Sequence, residues 1–299
     1  MQGCSRYAEL HCTTNFSFLQ GGSHPEELVS QAASLGYAAL AITDRVSLSG
    51  VVRAHAAAKE VGIHLVIGAV VEPIDAAPLV LWATNKKGYQ NLCRLLTSGL
   101  LKQGCSKKSK EIDESDVRDH DPRCLLTADE VAAHAGGLLA GLPLSQLRGS
   151  FESAVVSIRA WQDRLGKQLY GLAEVAMEGD DQECLANYAR LSCQTHIPLV
   201  AAGDVRYHSR DRQPLHDALA AVRYGRTVES IQVKLLSNGE RHLQDMKHVV
   251  KRFSILPGAV DRTLEIASRC TFSLDDISYE YPHAVVPSGW TPKEYLSNL

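Results

Sequence analysis

The feature that most constrains this chain is a repeated alternation of short apolar runs with longer amphipathic, alanine- and leucine-rich segments. Its clearest unit lies early in the chain. Residues 37–43 are almost wholly apolar, the pattern of a parallel strand covered on both faces, and the run ends on Asp44 and Arg45. Before it, Ser23 followed by Pro25 and Glu26 reads as a capped helix start. That helix is expected over 26–35, stopping at Gly36, where glycine takes a left-handed conformation cheaply. After it, Ser47 can cap a helix over 48–61 closed by Gly62. A short run at 9–13 carrying His11 precedes all of this. Strand, helix and strand at this spacing predict right-handed βαβ units and a parallel sheet, hence an α/β fold.

The rhythm persists through most of the chain. Further strands are expected at 64–71, 78–84, 137–142, 168–176 and 197–203, with helices at 90–101, 151–165 and 180–195. Thr127 with Glu130 repeats the capping-box pattern. About seven strands interleaved with helices are enough to close a barrel. Residues 102–123 interrupt it: Lys107, Lys108 and Lys110 precede Glu111, Asp113, Glu114, Asp116 and Asp119, a composition that reads as a solvated loop insertion. From about residue 214 the sequence turns mostly helical, over 215–224, 245–253 and 260–269. The expected organisation is a barrel domain over 5–213 and a helical extension over 214–299. The last residues read as the start of a further helix, which favours a fragment.

Composition narrows the function classes. With 31 basic and 34 acidic residues the net charge is −3, so the totals do not force polyanion binding. No apolar run reaches the length of a membrane span, and the N-terminus lacks a charged-then-apolar signal pattern. The eight cysteines include no C-x-x-C pair, which fits reduced thiols in a cytoplasmic protein and neither a disulfide framework nor a zinc ribbon.

Three stretches carry a family resemblance. Glu-Leu-His-Cys-Thr-Thr-Asn-Phe-Ser (9–17), Leu-Gly-Tyr-Ala-Ala-Leu-Ala-Ile-Thr-Asp (35–44) and Ala-Gly-Asp-Val-Arg-Tyr-His (202–208) resemble the polymerase-and-histidinol-phosphatase (PHP) domain. More narrowly they are similar to the N-terminal PHP domain of bacterial DNA polymerase III alpha-type enzymes of the error-prone branch. The stretches at 47–60, 85–95, 272–282 and Gly-Glu-Arg-His-Leu (239–243) support that branch, and the likeness covers roughly residues 5–299. It implies a PHP-type distorted seven-stranded β/α barrel followed by a mostly helical C-terminal segment. Active members hold two or three divalent metals in a cluster of His, Asp and Glu at the strand C-termini, where close hard cations polarise a phosphate and acidify a bridging water.

Carried over position by position, the resemblance implies a depleted site. The first-strand His-x-His pair survives as His11 with Thr13 in the second place. The histidine after Thr-Asp44 is Arg45, and the glutamate expected beyond Gly68 falls on Val70. In the last motif Asp204 remains, but the histidine is Arg206. Glu178 sits near the place of a histidine expected after the Glu174 strand. Arginine stays protonated at any physiological pH, and like charges about 4 Å apart repel by about 4 kcal/mol at an effective dielectric near 20. No catalytic residue and no metal are therefore expected here, His11 and Asp204 being the weak candidates for one. Arg45 and Arg206 need acidic partners, for which Asp44, Asp204, Glu72 and Glu9 are candidates. His11 also reads as an ordinary strand-end histidine, Glu72 as a displaced ligand, and His208 as a loop residue. His55, His134 and His248 sit on helices without ligand spacing, and Lys86 and Lys87 read as solvated.

Three functions compete on these grounds. The first is a structural N-terminal part of an error-prone DNA polymerase, active in repair and translesion synthesis. Its partners would be DNA, a sliding clamp and a Y-family-like accessory protein, and its Mg ions would sit in a palm region this chain does not reach. The second is a stand-alone metal-dependent PHP phosphoesterase or exonuclease. The third is an interaction module binding through residues 214–270.

Overall fold

The computed structural model describes residues 6–105, 124–147, 149–277 and 286–298. Most of the expected charged insertion, with Lys107 and Lys108, lies outside the described residues, as do Tyr279 and Pro282. Seven strands are found among the described residues: β1 (Ala8–Glu9), β2 (Ala39–Arg45), β3 (His64–Val71), β4 (Leu79–Ala83), β5 (Leu138–Pro143), β6 (Leu169–Glu174) and β7 (Leu199–Ala202). They form one sheet in sequence order. Strands β1 to β3 are parallel, as are β5 to β7. β4 instead runs antiparallel to both its neighbours, which corrects the expectation of a wholly parallel sheet. The reason is length: the connection over 72–78 is too short for the crossover that parallel strands require.

The sheet curls until its two ends meet. Cys12 and Val205 form a parallel bridge, in which Thr13 N–H donates to Val205 (2.8 Å) and Val205 N–H to His11 (2.9 Å). Beside that bridge a carboxylate replaces the ladder. Glu9, buried at 2% exposure, accepts from Gly203 N–H (3.1 Å), His11 N–H (2.9 Å) and the Tyr7 hydroxyl (2.8 Å). A Cβ at position 203 would lie 2.7 Å from Glu9 Oε2, so only glycine lets the seam close this way.

Helices α1 (Pro25–Ser34), α2 (Val51–Val61), α3 (Lys86–Cys105), α4 (Ala128–Ala133), α5 (Phe151–Leu165) and α6 (Asp181–Thr195) pack around the outside. The N-cap of α1 is His24, one residue after the expected Ser23, and the helix begins at Pro25, one residue before the expected 26. Glu27 accepts from His24 N–H at 2.9 Å, while the Ser23 hydroxyl accepts instead from His208 N–H at 2.9 Å. α2 starts at Val51, after the expected 48, and the Ser47 hydroxyl turns to Ser49 (3.1 Å); Gly62 ends the helix at φ +73°. The box at α4 is as expected, with Thr127 N–H donating to Glu130 (3.0 Å) and Glu130 N–H to Thr127 Oγ1 (3.3 Å).

Two apolar layers follow from the period-2 alternation of each strand. The outer layer lies between strands and helices and includes Leu28, Ile42, Ile67, Leu81, Ile158 and Trp161. The inner layer fills the lumen with Leu10, Val66, Val80, Trp82, Leu172 and Val200. Across that lumen the Trp82 indole N–H donates to the Leu10 carbonyl at 2.8 Å. Beyond β7 lie α7 (Gln213–Tyr224), α8 (Met246–Arg252), α9 (Pro257–Arg269) and α10 (Pro292–Asn298). α9 stops the barrel at the N-terminal ends of its strands: Ile266, Ala267 and Cys270 join the inner layer. Ala8 N–H donates to Thr263 Oγ1 (3.1 Å), and Arg262 reaches the carbonyl of Leu199 (2.5 Å). No helix among the described residues is long and apolar enough to cross a membrane.

Candidate functional site

With the lower end of the barrel stopped by α9, polar side chains collect at the other end, where the strands finish. His11, Thr13, Thr43, Asp44, Glu174 and Asp204 are all buried there. His11 is the hub. Its Nδ1 lies 2.6 Å from Glu174 Oε1 at the end of β6, and its Nε2 faces Asp204 Oδ1 at 3.8 Å. The second oxygen of Glu174 accepts from the Ser145 hydroxyl at 2.6 Å. Burial works against the imidazolium, but the carboxylates of Glu174 and Asp204 outweigh it, and the His11 pKa is raised.

Asp204 follows β7 in a left-handed backbone conformation, φ +43°, which costs a non-glycine residue energy unless its surroundings hold it. Two guanidinium groups do so. Arg206 lies 2.8 Å from Oδ1 and Arg241 2.5 Å from Oδ2. Burial alone would raise the Asp204 pKa, yet Arg206 and Arg241, and then His11, hold it below the usual carboxylate range. Arg241 also faces Glu178 at 3.6 Å.

The remaining positions singled out in the sequence fall apart from this hub. Arg45 pairs with Glu72 at 2.5 Å, on side chains 27% and 43% exposed. Asp44 takes neither arginine. Its Oδ1 accepts from Thr14 N–H (2.8 Å) and the Ser17 hydroxyl (2.7 Å), and its Oδ2 from the Thr14 hydroxyl (2.8 Å). Burial raises the Asp44 pKa despite these bonds. Asp44 thus shapes the turn after β1, whereas Glu9 serves the barrel seam. Val70 belongs to the apolar lumen, and the Thr13 N–H closes the bridge to Val205.

Of the ion-pair partners expected from sequence, Asp204 and Glu72 are found and Asp44 and Glu9 are not. In the sequence Arg241 stands out only as part of the 239–243 stretch. The one signal that could have found it is charge: a lone arginine in a short glycine-led segment, downstream of a barrel with surplus carboxylates.

Both oxygens of Asp204 face guanidinium groups, and His11 turns Nδ1 to Glu174 and Nε2 toward Asp204. Among the described residues, no three or more His, Cys, Asp or Glu side chains are grouped so as to hold a metal ion.

Comparisons with known proteins agree with the barrel. Residues 9–174 match the PHP domain family. A protein of Rhodopirellula baltica named error-prone DNA polymerase is 41% identical over 302 residues, covering 98% of this chain and 25% of that protein. One of the same name from Ralstonia nicotianae is 40% identical over 310 residues, covering 98% of this chain and 27% of that protein. The chain thus spans about a quarter of the length of the curated relatives it matches. Among solved structures, an amidohydrolase from Chromobacterium violaceum superposes with a TM-score of 0.50 at 16% identity, covering 69% of this chain and 89% of that one; that likeness speaks to the fold alone. With more than half of its length matched, on a seven-stranded barrel that closes at the Cys12–Val205 bridge, the chain belongs to the PHP domain family.

Proposed function

We propose that this chain is the N-terminal PHP domain of an error-prone DNA polymerase of the DNA polymerase III alpha type, and that its barrel serves as a scaffold with no phosphoesterase chemistry of its own. The observation that carries the first half is collinear similarity at about 40% identity over 98% of the chain to proteins of that name. For the second half, the support is electrostatic: where the resemblance implies a histidine, Arg206 lies on Asp204 beside Arg241, and where it implies a glutamate, Val70 lines the apolar lumen. Fixed cations at ligand positions oppose dication binding, and threonine and valine offer poor donor sets or none. On this reading the whole protein carries out DNA synthesis in repair and translesion synthesis. It works with Mg held in its palm region, with a sliding clamp and a Y-family-like protein as cytoplasmic partners.

Two measurements test this. Purified from cells grown with excess Mn, Zn and Fe, the chain is expected to carry far less than one metal per molecule and to release no phosphate from p-nitrophenyl phosphate. Stoichiometric metal with turnover would instead establish the stand-alone phosphoesterase. Primer extension by this chain alone is expected to be nil. Conversely, Thr13→His, Arg45→His, Val70→Glu and Arg206→His made together are expected to create Mn uptake that the parent lacks.

A further inference from the structure

The mouth of the barrel contains a cation that no barrel strand supplies. Arg241 lies in the stretch between α7 and α8, outside the residues that match the family. Its backbone is laid along the loop after β7: Arg206 N–H donates to the Arg241 carbonyl at 2.8 Å, and Tyr207 forms a parallel bridge with His242. From there the side chain turns inward, 18% exposed, onto Asp204 and Glu178. The segment is pinned at a second point by Tyr37. The Tyr37 hydroxyl donates to the Gln244 carbonyl (2.7 Å) and accepts from Gln244 N–H (3.1 Å).

Charge balance shows what Arg241 does there. The carboxylates at the mouth are the buried Glu174 and Asp204 and the half-exposed Glu178, and the fixed cations facing them are Arg206 and Arg241. Without Arg241 a largely buried carboxylate cluster is left with surplus negative charge, which a protein interior tolerates poorly. We infer that Arg241 is the resident cation of this mouth: it neutralises Asp204 and Glu178 where an active barrel would use metal, and in doing so fastens the 239–244 segment over the strand ends. This rests on reading the mouth as a scaffold that has lost its metals. It adds that the loss is compensated from outside the barrel, by one side chain that couples the barrel to its helical extension.

A double-mutant cycle on the whole chain tests the inference. Arg241→Gln, Asp204→Asn and the double variant are compared with the parent by urea unfolding at pH 7. Arg241→Gln is expected to lower the folding equilibrium constant at least about tenfold, since it strands a buried carboxylate. The same substitution on the Asp204→Asn background is expected to cost less than a third of that factor. Additive effects, or no loss on Arg241→Gln, overturn the proposal. Should Arg241→Gln not fold, Arg241→Lys keeps the charge and is expected to stay within about tenfold of the parent; if it fails as completely as the glutamine variant, the role is shape and not charge, and the proposal is wrong. Hydrogen exchange gives a readout that global destabilisation does not imitate. Below the unfolding transition, the Arg206 and Gln244 amides are expected to lose protection in Arg241→Gln while the β2 and β3 amides keep theirs. Stoichiometric metal in the parent would defeat the scaffold reading by itself, whereas the cycle judges Arg241 whether or not metal is found.

Discussion

The two ends of the barrel are closed in opposite ways. At the N-terminal ends of the strands the stopper is a helix, α9, whose Ile266, Ala267 and Cys270 continue the apolar lumen. At the C-terminal ends it is a set of ion pairs around His11 and Asp204. Both stoppers draw on chain that follows β7, so the segment after the strands completes the barrel above and below. The chemistry differs because the backbone needs differ. The lower end has mainly apolar side chains to cover, and a helix covers them at about 1.5–3 kcal/mol per large residue. The upper end carries buried carboxylates, and buried carboxylates must be paired.

Four experiments sharpen or break this contrast. The largest effect is expected at the lumen. Trp82→Ala removes the biggest side chain of the inner layer together with its bond to Leu10, and a loss of about 4 kcal/mol by urea unfolding is expected. A loss under about 1 kcal/mol would mean the lumen is not a packed core.

Next comes the mouth. Asp204→Ala leaves Arg206 and Arg241 facing no carboxylate on that side, and about 3 kcal/mol should be lost. Unlike the lumen variant, it should respond to salt, and equal salt dependence of the two would erase the distinction drawn here.

The third is a pH effect with a definite sign. Because the folded-state pKa of His11 is raised, its contribution is fully present below its unfolded value of about 6.5 and is lost as pH rises through the folded value. Asp204 behaves oppositely: its lowered pKa contributes above the unfolded carboxyl value and is lost as pH falls through the folded one. Urea midpoints should therefore decline from pH 6.5 upward in the parent, and His11→Gln should abolish that slope while leaving the acid limb in place. An unchanged alkaline slope would show that His11 does not titrate with folding.

The smallest effect belongs to the exposed pair. Arg45→Ala breaks the bond to the half-exposed Glu72, and for so exposed a pair less than about 1 kcal/mol is expected. A loss matching that of Asp204→Ala would place Arg45 within the buried network.

Legibility from sequence tracked how local each decision was. The bounds of β3 and α5 match the expected 64–71 and 151–165, because apolar runs and helical periodicity are set by neighbours in the chain. The Thr127–Glu130 box is equally local. The reversal of β4 was missed since two adjacent apolar runs look the same whichever way the second points; only the short link over 72–78 distinguishes them. Ser23 and Ser47 were read as caps on pattern alone, while the fold gives the Ser23 hydroxyl to His208, a residue far along the chain.

At the mouth the division is sharper. The identities of His11, Asp204, Arg45 and Arg206 are plain in the sequence, and so is the need for counter-charges. Which carboxylate meets which arginine is not, because a pair costs or stabilises according to burial and distance, and both are properties of the closed barrel. Asp44 finds its partners in the next turn, Glu9 is consumed where β1 meets β7, and Arg241 arrives from beyond the strands. The sequence by itself determined the alternating elements and the identities of the charged residues. The assignment of every buried charge waited on tertiary structure, since desolvation makes an ion pair matter only once the surrounding chain has excluded the water.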